Sequence, residues 1–549
     1  MKQVLRLLLI ILGLFFFNVA TAQEKKVVYT CVMHPKVQMD KPGNCPVCGM
    51  ELVKKTITVN KSKAPVPKRP AASSKTHSHQ VNDSTVIVHD EQHNEVKDSV
   101  HSGHMSMKND TMPGHQHQVA DTSLPQHQHH MDNAHDDPMD HNEHTNMSHA
   151  YSLNLSMNRN GSGTGWLPDA SPMYGYMFHT PKWMYMLHGN FFLRYNNQDF
   201  SNKGTRGDSK IDAPDWLMFM GQRLVGKNGL LHFNVMTSFD APLGGSNGYP
   251  LLFQSGEAYK GSSIVDRQHP HDLFSELSVS YSQALSKKSD VFLYLAYPGE
   301  PALGPVAFMH RPSAMDNPDA PISHHWVDAT HVTFGVATVG VRYGQFKLEG
   351  SSFTGREPNE NRYDFDKPRF DSWSGRLSYS PSENWALQAS HGYIKSPELL
   401  HPGEDVRRTT ASAIYSKALP NGSSLNAAAV WGMNKIKDHN GENAVLVEGE
   451  WRFNKLSLHS RYEWVQKGIE ELSLDEDVFG HDAVFPVNAF TAGFNYDLLN
   501  LGQTRLAIGS QATYYSADKR LDPLYGKHPM AVEVYLRIYP GMLGMKMKN

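Results

Sequence analysis

Sulfur is scarce as thiol in this 549-residue chain: its three cysteines are Cys31, Cys45 and Cys48, and none follows. A disulfide framework across the molecule is therefore excluded. No stretch after the first twenty-odd residues has 18 consecutive apolar residues, so no helical membrane span is expected in the body of the chain. An excess of one charge is also lacking. The formal net charge of −3 points to neither nucleic acid nor an acidic membrane surface as a partner. Hydrophobic residues make up 39%, low for one large globular core. Enzyme motifs are missing too: there is no G-x-S-x-G, no phosphate loop and no H-E-x-x-H, and Glu470-Glu471 reads as an ordinary loop pair. A blue-copper centre needs a cysteine among histidines, which the chain beyond residue 48 cannot supply. Catalysis, for instance by a metal-dependent oxidase, is thus the least favoured reading.

What is present begins with an export signal. Lys2 and Arg6 precede an apolar run from Leu7 to Phe17, and Ala20-Thr21-Ala22 forms a small-residue cleavage pattern before Gln23. A membrane anchor is the alternative, but the run is short for a bilayer span.

Residues 27–55 then hold all three cysteines. Cys31-x2-His34 is followed by Cys45-x2-Cys48, a spacing that lets four donors close on one tetrahedral ion. The turn Lys41-Pro42-Gly43-Asn44 favours a reversal between the two pairs. So short a module buries little surface, and bound metal would supply much of its folding energy. Met33, Met39 and Met50 lie nearby, and thiolate with thioether favours Cu(I) or silver over hard cations. A structural zinc knuckle and a Cys45–Cys48 disulfide are the competing readings.

Residues 56–150 contain no aromatic residue, and residues 77–149 carry 15 of the 31 histidines. The clusters include His101 and His104 beside Met105, and His127, His129 and His130 beside Met131. Such a polar tract is expected to be a disordered linker offering weak, exchangeable sites for copper, zinc or nickel. A plain hydrophilic spacer is the alternative.

From about residue 180 to 549 the apolar pattern changes to period two. Alternating runs occupy 184–195, 216–225, 230–239, 273–284, 291–297, 332–343, 346–353, 373–379, 385–394, 410–419, 425–433, 445–453, 456–465, 489–496, 504–515 and 531–539. Short turns alternate with long loops, and aromatics gather near strand ends. This pattern predicts an outer-membrane antiparallel β-barrel of about 14–16 strands. A secreted sandwich or propeller is the alternative, but no blade repeat is visible. Within this region His269, His271, His324 and His325, with Phe308-Met309-His310 and His331, are weaker metal candidates; hydrogen bonding in loops or lumen is the bland reading.

Two resemblances add to these readings. Tyr29-Thr30-Cys31-x-Met33-His34-Pro35, Lys41-Pro42-Gly43-x-Cys45-Pro46-x-Cys48-Gly49-Met50 and Glu51-Leu52-Val53 resemble the heavy-metal-binding domain of copper and silver P-type ATPases and copper/silver efflux adaptors. That resemblance implies metal binding at Cys31, Met33, His34, Cys45, Cys48 and Met50. The runs Gly248 to Glu257, Asp266 to Phe274 and Ala320 to Trp326 resemble uncharacterised outer-membrane proteins encoded with copper-resistance functions. This implies location and a link to copper, with no established activity. The expectation is a copper-handling outer-membrane protein whose N-terminal module faces the periplasm. It would serve metal capture, resistance or transport, with envelope efflux components as possible partners. The alternative is a tethered sponge or chaperone that does not transport.

Overall fold

In a computed structural model, the residues described are 24–30, 38–39, 41–44, 46, 53–59, 148–198, 200–201, 204–437, 439–480 and 482–543. They fall into two compact units, Met1–Asp132 and Asn133–Asn549.

The first unit contains β1 (Glu24–Thr30), β2 (Gln38–Met39) and β3 (Val53–Val59) in the antiparallel order β2-β1-β3. Val27, Val28 and Tyr29 suit β1, and Ile57 and Val59 suit β3, because branched and aromatic side chains fit a pleated surface. Thr30 pairs with both Gln38 and Val53. The chain positions flanking the cysteine runs therefore meet at one end of this sheet.

In the second unit, β4 (Ser148–His149) and β5 (Ser152–Ser156) form a small ladder. Then follow β6 (Tyr176–His179), β7 (Met184–Asn197), β8 (Ser209–Asp212), β9 (Asp215–Val225) and β10 (Gly229–Thr237). A hairpin of β11 (Tyr249–Tyr259) and β12 (Ser262–Gln268) intervenes. The series resumes with β13 (Phe274–Ser286), β14 (Ser289–Ala296), β15 (Val336–Tyr343), β16 (Phe346–Phe353), β17 (Ser372–Ser382), β18 (Trp385–Ile394) and β19 (Val406–Ala418). It ends with β20 (Ser424–Ile436), β21 (Glu442–Phe453), β22 (Leu456–Gly468), β23 (Val484–Leu501), β24 (Thr504–Ala517) and β25 (Met530–Pro540).

These strands close an antiparallel barrel of sixteen full strands, β7, β9, β10 and β13 to β25. The short β6 and β8 extend the pairing at the two ends of β7. Closure is made by β25 against β7, from Val532↔Asn197 to Ile538↔Phe191. Each alternating run of the sequence becomes one barrel strand. The run at 332–343 is shortened to Val336–Tyr343, because Gly335 takes φ +104° and Thr333 bridges to Gly299.

The barrel is apolar outside and polar inside. Val339, Val341, Leu348, Leu377, Val447, Leu458, Leu536 and Ile538 face outward and are exposed. Their alternate neighbours Lys347, Glu349, Arg376, Glu448, Glu450, Arg461 and Arg537 are buried within. Exposed Tyr343, Phe346, Trp385, Trp451 and Phe453 cluster by the short turns, with Phe346 stacked on Tyr379 at 4.2 Å. An apolar outer band with aromatics at its edge is the pattern of an outer-membrane barrel.

The lumen is filled. Residues 148–175, the β11–β12 hairpin with its continuation to Asp272, and the long connection 297–335 are largely buried. The sequence reading left 151–179 unassigned and placed 148–150 in the linker, whereas the structure seats 148–175 among inner-wall groups. Ser152 Oγ donates to Asp290 Oδ2 at 2.8 Å, and Arg376 Nη2 donates to Thr164 Oγ1 at 2.7 Å. This contact pattern is long-range, so no local periodicity announced it.

Candidate metal centres

The ligand positions of the cysteine module, Cys31, Met33, His34, Cys45, Cys48 and Met50, lie outside the described residues, as do His101, His104, His127, His129 and His130. The weaker candidates of the sequence fall inside the barrel, and there the structure is explicit.

His269 follows β12, and His324 and His325 open a helical turn over His324–Val327. All three are buried, and one nitrogen from each lies within 4.8 Å of the other two. Their rings are 5.3–6.0 Å apart between centroids. A carboxylate stands beside each ring. His324 Nδ1 is 2.6 Å from Asp328 Oδ1, His325 Nδ1 is 3.4 Å from Glu357 Oε1, and His269 Nε2 is 3.3 Å from Glu257 Oε1. A carboxylate on Nδ1 fixes the tautomer that leaves Nε2 with its lone pair, as around metal-bound histidines. The Nε2 atoms of His324 and His325 are buried with no hydrogen-bond partner. Each such orphan costs about 1–3 kcal/mol.

Burial lowers the His269 and His324 pKa values below the ordinary histidine range, which keeps the imidazoles neutral. Burial would raise the Asp328 carboxyl, but its hydrogen bond to His324 and the charge of Arg311 hold it below the usual range. Backbone geometry also serves the cluster. Gly256 has φ +108°, and a Cβ there would lie 2.1 Å from the His325 ring. Only glycine meets both conditions comfortably.

His271 is placed differently. Its Nδ1 is 2.7 Å from Asp240 Oδ2, its Nε2 is 3.1 Å from His331 Nε2, and His331 Nδ1 donates to the Asp328 carbonyl at 2.8 Å. It belongs to a hydrogen-bonded chain beside the three-imidazole group. A second group, His401, Glu404 and Glu470, lies in half-buried to exposed loops and has no such enclosure.

Sequence reasoning missed the supporting shell. Glu257, Asp240 and Glu357 come from three different segments, and nothing local links them to the histidines. It also missed the methionines of the inner wall. Met157, Met186, Met218, Met220, Met236 and Met309 form one buried cluster. The alternation Met184-x-Met186-x-His188 and the pair Met218-x-Met220 were visible signals.

The comparisons with known proteins fit this picture. Over 46 residues, 8% of the chain, it is 44% identical to a copper-exporting P-type ATPase of Legionella pneumophila, and it spans 6% of that protein's length. Among solved structures, the barrel resembles Salmonella typhi OmpF in complex with daunomycin, at 12% identity and TM-score 0.41 over 66% of this chain and 100% of that one. It also resembles the outer-membrane channel DcaP of Acinetobacter baumannii, at 11% identity and TM-score 0.36 over 67% and 99% of the two chains. Residues 28–55 match the family model of the heavy metal binding domain, so this chain joins that domain to an outer-membrane β-barrel.

Proposed function

We propose that this protein captures copper or a related soft ion at the outer membrane, in the service of metal resistance. The N-terminal domain is the high-affinity station, with Cys31, His34, Cys45 and Cys48 as the main ligands and Met33 and Met50 close by. The tract with His101, His104, His127, His129 and His130 holds ions loosely. His269, His324 and His325 form a second firm station inside the barrel, and His271 supports it through its own chain. The N-terminal module faces the periplasm, where it exchanges metal with envelope efflux components.

The observation that carries this reading is the buried trio of imidazoles with two orphaned Nε2 atoms, on a chain that also bears a heavy metal binding domain. Three imidazoles suit copper or zinc and suit magnesium or calcium poorly. The filled lumen favours capture over free diffusion. Among the described residues, two of the cavities within the barrel measure ≈ 40 and ≈ 60 Å³, and residues 148–175 and 297–335 occupy the lumen around them.

The test is metal retention by the purified full chain after a chelator wash, with Cu(I) and Zn(II) offered separately. C31S/C45S/C48S should remove the share held by the module, and H324Q the share held in the barrel. Retention that ignores both changes would refute the proposal. Reconstitution in liposomes separates capture from passage: an open, unselective conductance would favour the transport reading.

A further inference from the structure

We propose that a methionine-lined chamber between the β7–β9 wall and the infolded segments is a Cu(I) site, held by thioether sulfur with His188 as the nitrogen donor. The inference rests on the protein handling metal, but not on the His269 cluster.

The chamber is built by strand alternation. On β7, Met184, Met186 and His188 share the inner face, and on β9 so do Trp216, Met218 and Met220. The register sets Met186 opposite Met220 and His188 opposite Met218, while Met236 of β10 stands opposite Met218. Directly opposed Cβ atoms lie about 4.5–5.5 Å apart, within reach of long thioether side chains. The infolded segments complete the lining with Met157, Met173, Met315 and His310 around a cavity of ≈ 60 Å³. His188 Nε2 is buried there without a hydrogen-bond partner. Trp216 meets the rings of His188 and His310 at 5.1 and 4.6 Å, and those two rings are 5.9 Å from each other. It also lines the neighbouring ≈ 40 Å³ cavity, which reaches His271.

Methionine often serves as a flexible filler of irregular cores. A filler closes the gap it borders, whereas here space remains beside five thioethers and an unpartnered imidazole. Barrel interiors are otherwise polar, and thioethers make poor partners for water. What they bind well is a soft monovalent cation; thioether with imidazole selects Cu(I), and by the same chemistry Ag(I), over hard divalent ions.

The experiment uses the full chain in detergent, anaerobically, with one equivalent of Cu(I) and with C31S/C45S/C48S as the parent. X-ray absorption at the copper edge should show copper–sulfur scattering in this cysteine-free chain. M186L/M220L should reduce that scattering and weaken Cu(I) binding at least about tenfold, the scale on which even supporting residues act. Zn(II) retained by the His269 cluster should not change. Copper–sulfur scattering and Cu(I) affinity both unchanged in M186L/M220L would assign the ion to methionines elsewhere and overturn the proposal, as would absence of the scattering from the parent. If the double variant fails to fold, crystals of the unmodified chain soaked with Cu(I) decide: an anomalous peak among Met186, His188 and Met220 supports the site, and peaks only elsewhere overturn it. No retained metal in the unmodified chain would sink both this site and the metal-capture reading. Absence of the sulfur signal from the parent, with metal still retained, would sink only this site.

Discussion

The two sides of the barrel interior are built from different chemistry. On the β21–β25 side, charge holds the infolded segments. Asp316 lies between Arg537 and Arg452, with Arg452 Nη2 at 3.6 Å, and also accepts from Ser457. Arg311 bridges Glu448 at 2.6 Å and Asp328 at 2.7 Å. Arg194 of β7, at the border of the two sides, meets Asp212, Asp319 and Glu533 at 2.6, 2.6 and 2.8 Å. On the β7–β10 side below it, the inner face carries Met186, Met218, Met220, Met236 and His188. The difference teaches a division of labour. Paired charges are costly to break and so fix the infolded segments in one place, whereas thioethers ask for no partner and leave room. The three-imidazole group is tied to the charged side, because Asp328 pairs with Arg311 through one oxygen and with His324 through the other.

Several changes would break or sharpen this contrast. D316A should act most strongly, since removing one partner of a buried ion pair costs about 3–5 kcal/mol. Denaturant unfolding in detergent should show the loss, and bilayer recordings should show a higher conductance as the infolded segments loosen. If D316A unfolded no sooner than the methionine variant, the contrast would collapse. G256A comes next. It forces a non-glycine residue to φ +108° and drives a methyl into His325. Strain of this kind costs about 1–3 kcal/mol, and chelator-resistant metal in the barrel should fall with it. M186L/M220L conserves volume, so its stability cost should stay below about 1.5 kcal/mol while Cu(I) binding changes. The smallest effect belongs to H127A/H129A/H130A. Barrel unfolding should move by no more than about 0.5 kcal/mol, and only loosely held copper should be lost.

Much of the fold was legible because a strand's side-chain period is a local property. The runs 346–353 and 385–394 coincide with β16 and β18, where a two-residue turn before each strand marks its start. The β23 strand runs Val484–Leu501, well beyond the 489–496 expected, because pairing with β22 extends it at its start and pairing with β24 at its end. The infolded residues 148–175 were not legible at all. They have little periodicity, and their order comes from partners far away, such as Asp290 and Arg376. Among the candidate ligands, His324 and His325 are neighbours in sequence, but nothing there set His269 against them or moved His271 aside.

By itself, then, the sequence determined which strands form the barrel wall and that a heavy metal binding domain precedes them. Alternation along each strand specified an apolar outside and a polar inside, and the runs around Cys31-x2-His34 and Cys45-x2-Cys48 marked a heavy metal binding domain. Both are short-range patterns that survive without knowledge of the fold. Only the tertiary structure decided which loops turn inward, which histidines share a pocket and which methionines face one another. Those meetings depend on the register between strands and on charge pairs between distant segments, and no window of sequence contains them.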